Sequence, residues 1–231
     1  MTDFSHIKSQ LEEIRLRISQ SAEKAGRNPD DVKLVAVSKT FPVEAVIEAF
    51  NCGQRLFGEN RVQEMASKSN QLPCDIEWHL IGHLQSNKTA SAVKVSHMIH
   101  AVDSEDLIVR INRIANESGK KQKILLEINI SREDSKFGLR DETEIFKCAE
   151  CALKSSNVEL NGLMSMAPYG ASECELRRIF SGLRELRNKI ESAFSTKLPD
   201  LSMGMSGDYE TAIAEGATIV RIGTAIFGKR N

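Results

Sequence analysis

The stretch Leu34-Val35-Ala36-Val37-Ser38-Lys39-Thr40 begins a pattern that recurs to the end of the 231-residue chain. Its first four residues form an apolar run that is too short for a helix and is typical of a buried parallel strand. Pro42 follows at a position that suits the start of a helix, and Gly53 is placed to end that helix. The stretch therefore predicts a strand that leads directly into an amphipathic helix.

The same strand-and-helix unit can be traced along the rest of the sequence. Ser104, Asp141 and Ser172 are each placed to cap a helix that lies between two strands. Eight strands alternating with helices, in a chain near the ~250 residues typical of such barrels, predict an α/β fold with a single (β/α)8 TIM-type barrel. An open doubly wound sheet has the same alternation and is the alternative. The seven further strands are predicted at residues 55–57, 76–81, 97–102, 124–130, 158–164, 201–203 and 218–222.

Before the first strand, apolar residues recur at an alternating spacing of three and four: Phe4, Ile7, Leu11, Ile14 and Ile18. This spacing places one apolar stripe along a helix, which we expect to pack against the helical shell of the barrel. No stretch rich in glycine, serine or proline divides the chain. We therefore predict one domain, with an N-terminal helix in residues 1–27 and the barrel in residues 33–231.

The composition limits the classes of function. A formal net charge of -1 and the absence of a basic stripe argue against a nucleic-acid-binding protein. No run approaches the ~18 apolar residues of a membrane helix, and the N-terminus lacks a secretory signal pattern, so we expect a cytoplasmic protein without membrane contact. The five cysteines are scattered and odd in number, which favours reduced thiols. Cys148 and Cys151 lie in a helical run and the histidine pairs lie on strands, so no metal site is predicted.

Ligands of a barrel of this kind bind where the strands end at their carboxyl side. Lys39 directly follows the first strand, and Ser206 lies in a glycine-containing loop after the seventh. Gly223 and Thr224 follow the eighth strand. Glycines that allow close backbone approach and N–H groups at helix starts are features of phosphate sites. Ordinary strand-to-helix loops with cap residues need the same residue types, so neither loop on its own indicates a phosphate site.

Arg221 interrupts an eighth strand that is otherwise suited to burial. Side chains alternate along a strand, so Arg221 shares a face with Ile219, and a buried guanidinium needs an acceptor. If the barrel closes, the eighth strand pairs with the first and places Arg221 near Lys39. A lysine amine, a guanidinium and a phosphate site would then surround one pocket, and pyridoxal phosphate uses all three.

At these positions the sequence resembles the pyridoxal phosphate homeostasis proteins, also called the YggS or PROSC family. The resemblance runs from the first strand to the last, and it implies a barrel similar to the N-terminal domain of alanine racemase with pyridoxal phosphate bound covalently. The matching motifs are VSKT at 37–40, FGEN at 57–60, WHLIGHLQSNK at 78–88, GLMSM at 162–166, SMGMSGD at 202–208 and VRIGTAIFG at 220–228.

The resemblance also implies a role for individual residues. Lys39 is implied to form the Schiff base, and Arg221 to face the ring nitrogen. Asn60 is implied to lie beside the cofactor ring. Lys136 fits a family pattern of a lysine before a glycine, as a cofactor contact or, as we favour, a solvated loop charge. Phe41 stands where some relatives carry another lysine. The residues implied to hold the phosphate are Ser206, Gly223 and Thr224.

The implied pocket bears on catalysis. A charged guanidinium beside the ring nitrogen disfavours protonation of that nitrogen and so weakens the ring as an electron sink. Alanine racemases complete their site with a second domain, whereas this sequence reaches Asn231 just past the last strand. We therefore expect no enzyme but a protein of intracellular pyridoxal phosphate homeostasis, a monomer or weak dimer that delivers the cofactor to apo-enzymes. The alternative is a small pyridoxal-phosphate-dependent amino-acid racemase with His79, His83 or Tyr169 as a second base, and a sugar-phosphate enzyme is a more distant one.

Overall fold

Eight parallel strands close into a barrel, in the order of the sequence, within residues 4–131, 133 and 137–228, which the computed structural model describes. The strands are β1 (Lys33–Val37), β2 (Leu56–Glu59), β3 (Glu77–Leu80), β4 (Met98–Val102), β5 (Gln122–Glu127), β6 (Val158–Met164), β7 (Asp200–Ser202) and β8 (Ile219–Ile222). Strand β1 pairs with both β2 and β8, which closes the sheet. The predicted (β/α)8 fold is confirmed, and the doubly wound alternative is wrong because no strand is left at an edge among the described residues.

Helices connect the strands and surround the barrel. The predicted caps are present: the side chains of Ser104, Asp141 and Ser172 accept hydrogen bonds from backbone N–H groups three residues further on. These bonds satisfy donors that the first helical turn leaves open, so each cap fixes where its helix begins. The helices are α1 (His6–Lys24), α2 (Val43–Asn51), α3 (Val62–Ser69), α4 (Thr89–Val95), α5 (Glu105–Glu117), α6 (Glu142–Lys154), α7 (Glu173–Phe194), α8 (Tyr209–Ala214) and α9 (Thr224–Phe227).

Helix α1 belongs to the helical shell, as its apolar stripe predicts. It buries Ile7, Leu11, Ile14 and Ile18, and it packs against α2, α8 and α9. Its contact with α9 places the N-terminal helix directly behind the loop that follows β8. The stripe is therefore used in packing within the chain.

The inward and outward faces of the barrel wall differ in chemistry. Outward side chains such as Val220 and Ile222 pack under the helices in one large apolar core. Inward side chains form a small apolar cluster, with Val35, Leu125 and Ile219 among them. Several inward positions are polar instead: Lys33, His79, His100, Asp200, Ser202 and Arg221. Polar side chains thus extend through the barrel from one end to the other.

Strand β5 ends earlier than predicted. The apolar run continues to residue 130, but the strand stops at Glu127. The Leu139 N–H donates to the Glu127 carbonyl oxygen at 2.8 Å, so the chain after β5 folds back on itself there. The consequence is that Glu127 stands at the carboxyl end of a strand, where ligands of such barrels bind.

Further features concern the cysteines, metal ligands and helix hydrophobicity. Cys148 and Cys151 lie on α6 as free thiols, and burial raises the pKa of the Cys148 thiol to about 12. The described residues contain no cluster of three or more histidine, cysteine or acidic side chains that would suit a metal ion. Across the same part of the chain, no helix has the length and apolar character needed to traverse a bilayer.

Candidate functional site

A cavity of about 720 Å³, the mouth cavity, lies at the carboxyl ends of the strands. Its volume is in the range of small-molecule sites, ~300–1,000 Å³. Residues that follow β1, β2, β7 and β8 line it, together with side chains of β5 and β8. The structure therefore brings together all of the predicted site residues: Lys39, Asn60, Ser206, Arg221, Gly223 and Thr224.

Lys39 follows a segment that a buried ion pair holds in place. The Lys68 ammonium lies 2.7 Å from Glu59 Oε1 and donates to the Ser38 carbonyl oxygen at 2.8 Å. The Ser38 hydroxyl donates to the same Glu59 oxygen at 2.7 Å. Burial raises the pKa of the Glu59 carboxyl, and Lys68 counteracts this effect. The backbone just before Lys39 is thus fixed from within the protein.

The residue after Lys39 adopts a rare backbone conformation. Thr40 has a φ of 70°, which is unfavourable for a β-branched side chain. Its N–H donates to Glu64 Oε1 at 2.7 Å, and this bond helps to hold the turn. Strained turns of this kind persist only where surrounding contacts determine them, and they are common at functional sites. The turn sets the course of the backbone immediately after Lys39.

Arg221 reaches the mouth cavity from the inward face of β8 and is 4% exposed. One guanidinium nitrogen, Nη1, donates to Ser202 Oγ at 2.6 Å, and Nη2 donates to the Ser165 carbonyl oxygen at 3.0 Å. Burial lowers the pKa of Arg221 to about 10, against the attraction of Asp208 and Glu127. The side chain is therefore still cationic at neutral pH, and the acceptors that its burial requires are present.

The loops after β7 and β8 approach the mouth cavity closely because they contain glycines. Gly204 has a φ of 93°, and a Cβ there would lie 2.9 Å from Tyr209 Cα. A Cβ at Gly223 would lie 3.1 Å from the Val37 carbonyl oxygen. Both glycines let backbone run where a side chain would force it away.

These two loops present hydrogen-bond donors to the mouth cavity. The backbone N–H groups of Ser206, Gly207 and Thr224 donate to no acceptor in the described part of the chain. Ser206 Oγ accepts a long hydrogen bond, 3.4 Å, from the Ala225 N–H and so ties the two loops together. Backbone donors at helix starts, with hydroxyls beside them, suit an anionic group such as a phosphate.

The sequence and structure comparisons agree on the family. Residues 9–231 match the family model described as alanine racemase, N-terminal domain. Pyridoxal phosphate homeostasis proteins of Aquifex aeolicus and Escherichia coli are 42% and 38% identical to this chain, over 95% and 100% of it and 96% and 98% of their own length. The chain belongs to the pyridoxal phosphate homeostasis protein family.

Solved structures extend this assignment. PipY of Synechococcus elongatus with pyridoxal phosphate bound matches the family member described here with a TM-score of 0.84 at 38% identity, over 96% of this chain and 100% of PipY. A protein of Bifidobacterium adolescentis matches with a TM-score of 0.91 at 37% identity, over 98% of both chains. An alanine racemase of Clostridium difficile shares the fold at 16% identity with a TM-score of 0.73, over 97% of this chain and 57% of that enzyme.

Glu127 lines the mouth cavity of this homeostasis-family barrel and was not predicted from the sequence. It is 3% exposed, and its Oε2 atom has no hydrogen-bond partner among the described residues. Burial raises the pKa of the carboxyl to about 7, and Asp103 raises it further, while Arg221 counteracts both. The signal in the sequence was a carboxylate inside the apolar run 124–130. A charged residue at the carboxyl end of a buried strand indicates a position in the ligand site.

The three residues considered as a second base lie in different places. His83 and Tyr169 line the mouth cavity, and His83 stacks on Phe137 with ring centroids 4.0 Å apart. His79 does not line this cavity, because its position on β3 directs it into the barrel interior, and its placement as a mouth base is wrong. Lys136 lies outside the described residues. Phe41 packs against Phe227 of α9, with centroids 5.2 Å apart, and so has a structural contact.

Proposed function

We propose that this protein binds pyridoxal 5'-phosphate in the mouth cavity, holds it as a Schiff base on Lys39, and serves intracellular pyridoxal phosphate homeostasis. The observation that carries the proposal is the convergence of a lysine, a guanidinium and free backbone donors on one cavity. A ligand with an aldehyde, a ring nitrogen and a phosphate needs these three kinds of group. The curated relatives named for pyridoxal phosphate homeostasis and the pyridoxal-phosphate-bound PipY support it.

The residues present fit the cofactor group by group. Ser206, Gly223 and Thr224 would hold the phosphate, since glycine brings the backbone close and the hydroxyls add donors. Lys39 would supply the amine that condenses with the aldehyde. Asn60, which follows β2, would lie beside the ring. Backbone N–H groups without a protein acceptor, and a close backbone approach that a Cβ at Gly223 would prevent, suit a phosphate group.

Arg221 supports a role without catalysis. Pyridoxal phosphate supplies electron-withdrawing chemistry that is strongest when its ring nitrogen is protonated. Arg221, a cation held by Ser202 and Ser165, would face that nitrogen and would disfavour the protonated ring. The pocket would therefore bind the cofactor while giving it little power to stabilise a substrate carbanion.

The finer parts of the proposal concern partners and organisation. The protein would limit the free aldehyde and deliver the cofactor to apo-enzymes, in the cytoplasm and without nucleic acid or membrane as partners. It would act as a monomer or weak dimer, with the N-terminal helix in residues 1–27 and the barrel in residues 33–231 forming one binding domain. The names of the curated relatives support the homeostasis part of this proposal.

A spectral titration tests the proposal. Adding pyridoxal phosphate to the full chain should give a saturable visible absorbance band that is distinct from that of the free aldehyde. Lys39→Ala should lose the band, because the amine that forms it is gone. Lys94→Ala, which removes an exposed lysine on α4, should bind like the parent chain. A parent chain without the band, or an undiminished band in Lys39→Ala, would overturn the proposal.

The same samples separate a carrier from a racemase. The loaded chain should transfer pyridoxal phosphate to an apo-enzyme that depends on it, seen as regained activity of that enzyme. It should form no D-alanine from L-alanine above the rate of free cofactor. Sustained D-alanine formation that His83→Ala or Tyr169→Phe abolishes would replace the carrier by the racemase.

A further inference from the structure

A second cavity, of about 800 Å³, lies at the opposite end of the barrel, where the strands begin. We call it the lower cavity. Helix α1 and the first residues of most strands line it, and the proposed cofactor contacts all lie elsewhere. Its charged lining consists of four cationic and three anionic side chains: Arg15, Lys33, Arg55, Lys123, Asp30, Glu77 and Asp200.

Most charges at the lower cavity are paired, and Lys123 is not. Lys33 Nζ lies 2.9 Å from Asp200 Oδ1. His97 Nε2 lies 3.3 Å from Glu77 Oε2. The side chain of Lys123, from β5, makes no hydrogen bond or ion pair with any residue that the structure describes, although its backbone carbonyl accepts a hydrogen bond from Gln122 Nε2. Among the described residues, the Lys123 ammonium is therefore a cation of the lower cavity with neither an ion pair nor a hydrogen bond, whereas Arg15 hydrogen-bonds only to the neutral oxygens of Cys52 and Gln54.

A chain of hydrogen bonds runs through the barrel interior between the two cavities. Arg221 Nη1 donates to Ser202 Oγ at 2.6 Å. Ser202 Oγ lies 2.9 Å from His100 Nδ1, and His100 Nε2 lies 2.8 Å from His79 Nδ1. His79 lines the lower cavity. We call these four residues the polar column.

Arg221 fixes the direction of the first hydrogen bond in the polar column. A guanidinium has donors only, so Ser202 Oγ accepts from it. We assign the Ser202 hydroxyl hydrogen to His100 Nδ1, which is the acceptor in its reach within the described residues. His100 then has its proton on Nε2 and donates it to His79 Nδ1. This bond leaves the proton of a neutral His79 on Nε2.

His79 therefore ends the polar column as an N–H donor without an acceptor. The side chain is 2% exposed, and Nε2 has no hydrogen-bond partner among the described residues. Burial, with His97, Lys33 and Lys123 nearby, lowers the pKa of His79 to about 3, so the ring is neutral at physiological pH. A buried donor without a partner is unfavourable, and a ligand oxygen would relieve it.

We propose that the lower cavity is a binding site for a small oxyanion, a carboxylate or a phosphate group. One ligand oxygen accepts from the His79 Nε2–H, and the Lys123 ammonium neutralises the charge. Both side chains line the same cavity, and neither His79 Nε2, which is buried, nor the Lys123 ammonium has a protein acceptor within the described residues. The inference concerns the end of the barrel remote from the proposed cofactor pocket and stands without it.

Nuclear magnetic resonance of ¹⁵N-histidine-labelled full chain tests the proposal. The free protein should show His79 as the Nε2–H tautomer, which is the starting condition for binding. Sodium phosphate and sodium acetate, at constant ionic strength in chloride, should each be titrated in. At least one should shift the His79 Nε2 signal saturably, and the stronger of the two identifies the oxyanion class. A His79 proton on Nδ1, or no saturable shift with either anion, would overturn the proposal.

Matched variants and cofactor loading locate the response. Lys123→Gln should lower the affinity for the anion that binds by about tenfold, since it removes a charge-assisted contact. Lys121→Gln removes the same charge from an exposed residue that does not line the lower cavity and should bind like the parent. Loading with pyridoxal phosphate occupies the mouth cavity and should leave the His79 response in place. Equal anion affinity in Lys123→Gln and the parent chain, or a His79 response abolished by cofactor loading, would overturn the proposed oxyanion site in the lower cavity.

Discussion

The two ends of the barrel use different parts of the chain to prepare for a ligand. At the mouth cavity, loops supply backbone N–H groups, and glycines such as Gly204 and Gly223 allow them to approach. At the lower cavity, side chains of the strands themselves provide four of the seven charges, among them the pair of Lys33 and Asp200. Loops can change without disturbing the barrel, whereas strand residues are part of its wall. Binding and stability are therefore separable at the mouth and linked at the lower end.

The largest effect should come from crowding the wall near the lower end. Gly162 of β6 packs so closely on β7 that a Cβ would overlap the Asp200 carbonyl oxygen. Gly162→Ala should therefore lower the free energy of unfolding by about 3 kcal/mol or more, measured by urea denaturation. Gly119→Ala is the control: its φ is 61°, but the space around it is open, so it should cost only about 1 kcal/mol. Similar losses for the two variants would contradict the close packing.

The next effect concerns the polar column that joins the two ends. Ser202→Ala would leave Arg221 Nη1 and His100 Nδ1, both buried, without this partner. We expect a loss of about 2–3 kcal/mol in the free energy of unfolding and weaker pyridoxal phosphate binding. In contrast, Ser165→Ala removes only a hydroxyl that donates to Ile128, and it keeps the carbonyl that accepts from Arg221. Its cost should be about 1 kcal/mol. If Ser202→Ala proves no more costly than Ser165→Ala, the column does not hold Arg221.

The pH dependence of stability should distinguish Glu127 at the mouth cavity from the histidines of the polar column. The Glu127 pKa of about 7 lies above its ordinary value of 4.5, so the folded chain holds this proton more tightly than the unfolded chain. Stability then falls as pH rises from 4.5 through 7. Glu127→Gln should remove this loss and be more stable than the parent by about 2 kcal/mol at pH 8, but not at pH 4. Urea midpoints at the two pH values measure it, and a constant difference would contradict the raised pKa.

His79 and His100 should act in the opposite direction. Burial lowers the pKa of both rings below 6.5, so near and below that pH the unfolded chain binds protons that the folded chain does not bind. Their contribution to stability is present above pH 6.5 and is lost as the pH falls below it. In Glu127→Gln, stability should therefore decline on the acid side of pH 6.5. This decline should become smaller when His79→Phe and His100→Phe are added, while His97, whose pKa burial also lowers, keeps its share; an unchanged decline would assign it to other groups.

The smallest effect on stability should come from the phosphate loops. Thr224→Ala removes a hydroxyl at the mouth cavity that makes no hydrogen bond with any described residue, so the free energy of unfolding should change by less than about 0.5 kcal/mol. Affinity for pyridoxal phosphate should fall about fivefold to tenfold, whereas affinity for pyridoxal, which lacks the phosphate, should not change. Spectral titration with both compounds measures this. An equal loss for the two compounds would contradict a phosphate role.

The sequence predicted the barrel well because each strand is an apolar run between polar helix caps. Ser104 and Ser172 could be identified as caps from local spacing alone. The end of β5 could not be identified from local spacing, because the Leu139 N–H that helps to end the strand at Glu127 belongs to a later segment of the chain. Apolar periodicity describes local conformation, and only tertiary contacts decide where a strand stops.

The site was predicted in part for a similar reason. Lys39, Arg221 and the two glycine loops were found because strand ends converge in a barrel and because the motifs resemble a known family. Glu127 was missed, since a carboxylate within an apolar run gives no periodic signal. The polar column was missed because His79 lies 21 residues from His100, and His100 lies 102 from Ser202. Only barrel closure makes these residues neighbours.

The central claim is that Lys39 is the covalent anchor for pyridoxal phosphate, and borohydride fixation tests it most directly. The loaded full chain should be reduced, digested and mapped by mass spectrometry. We predict one stoichiometric pyridoxyl-phosphate adduct, located on Lys39, and its absence from Lys39→Ala treated in the same way. A reduced chain with no adduct, or with its main adduct on another lysine while Lys39 is unmodified, would contradict the account.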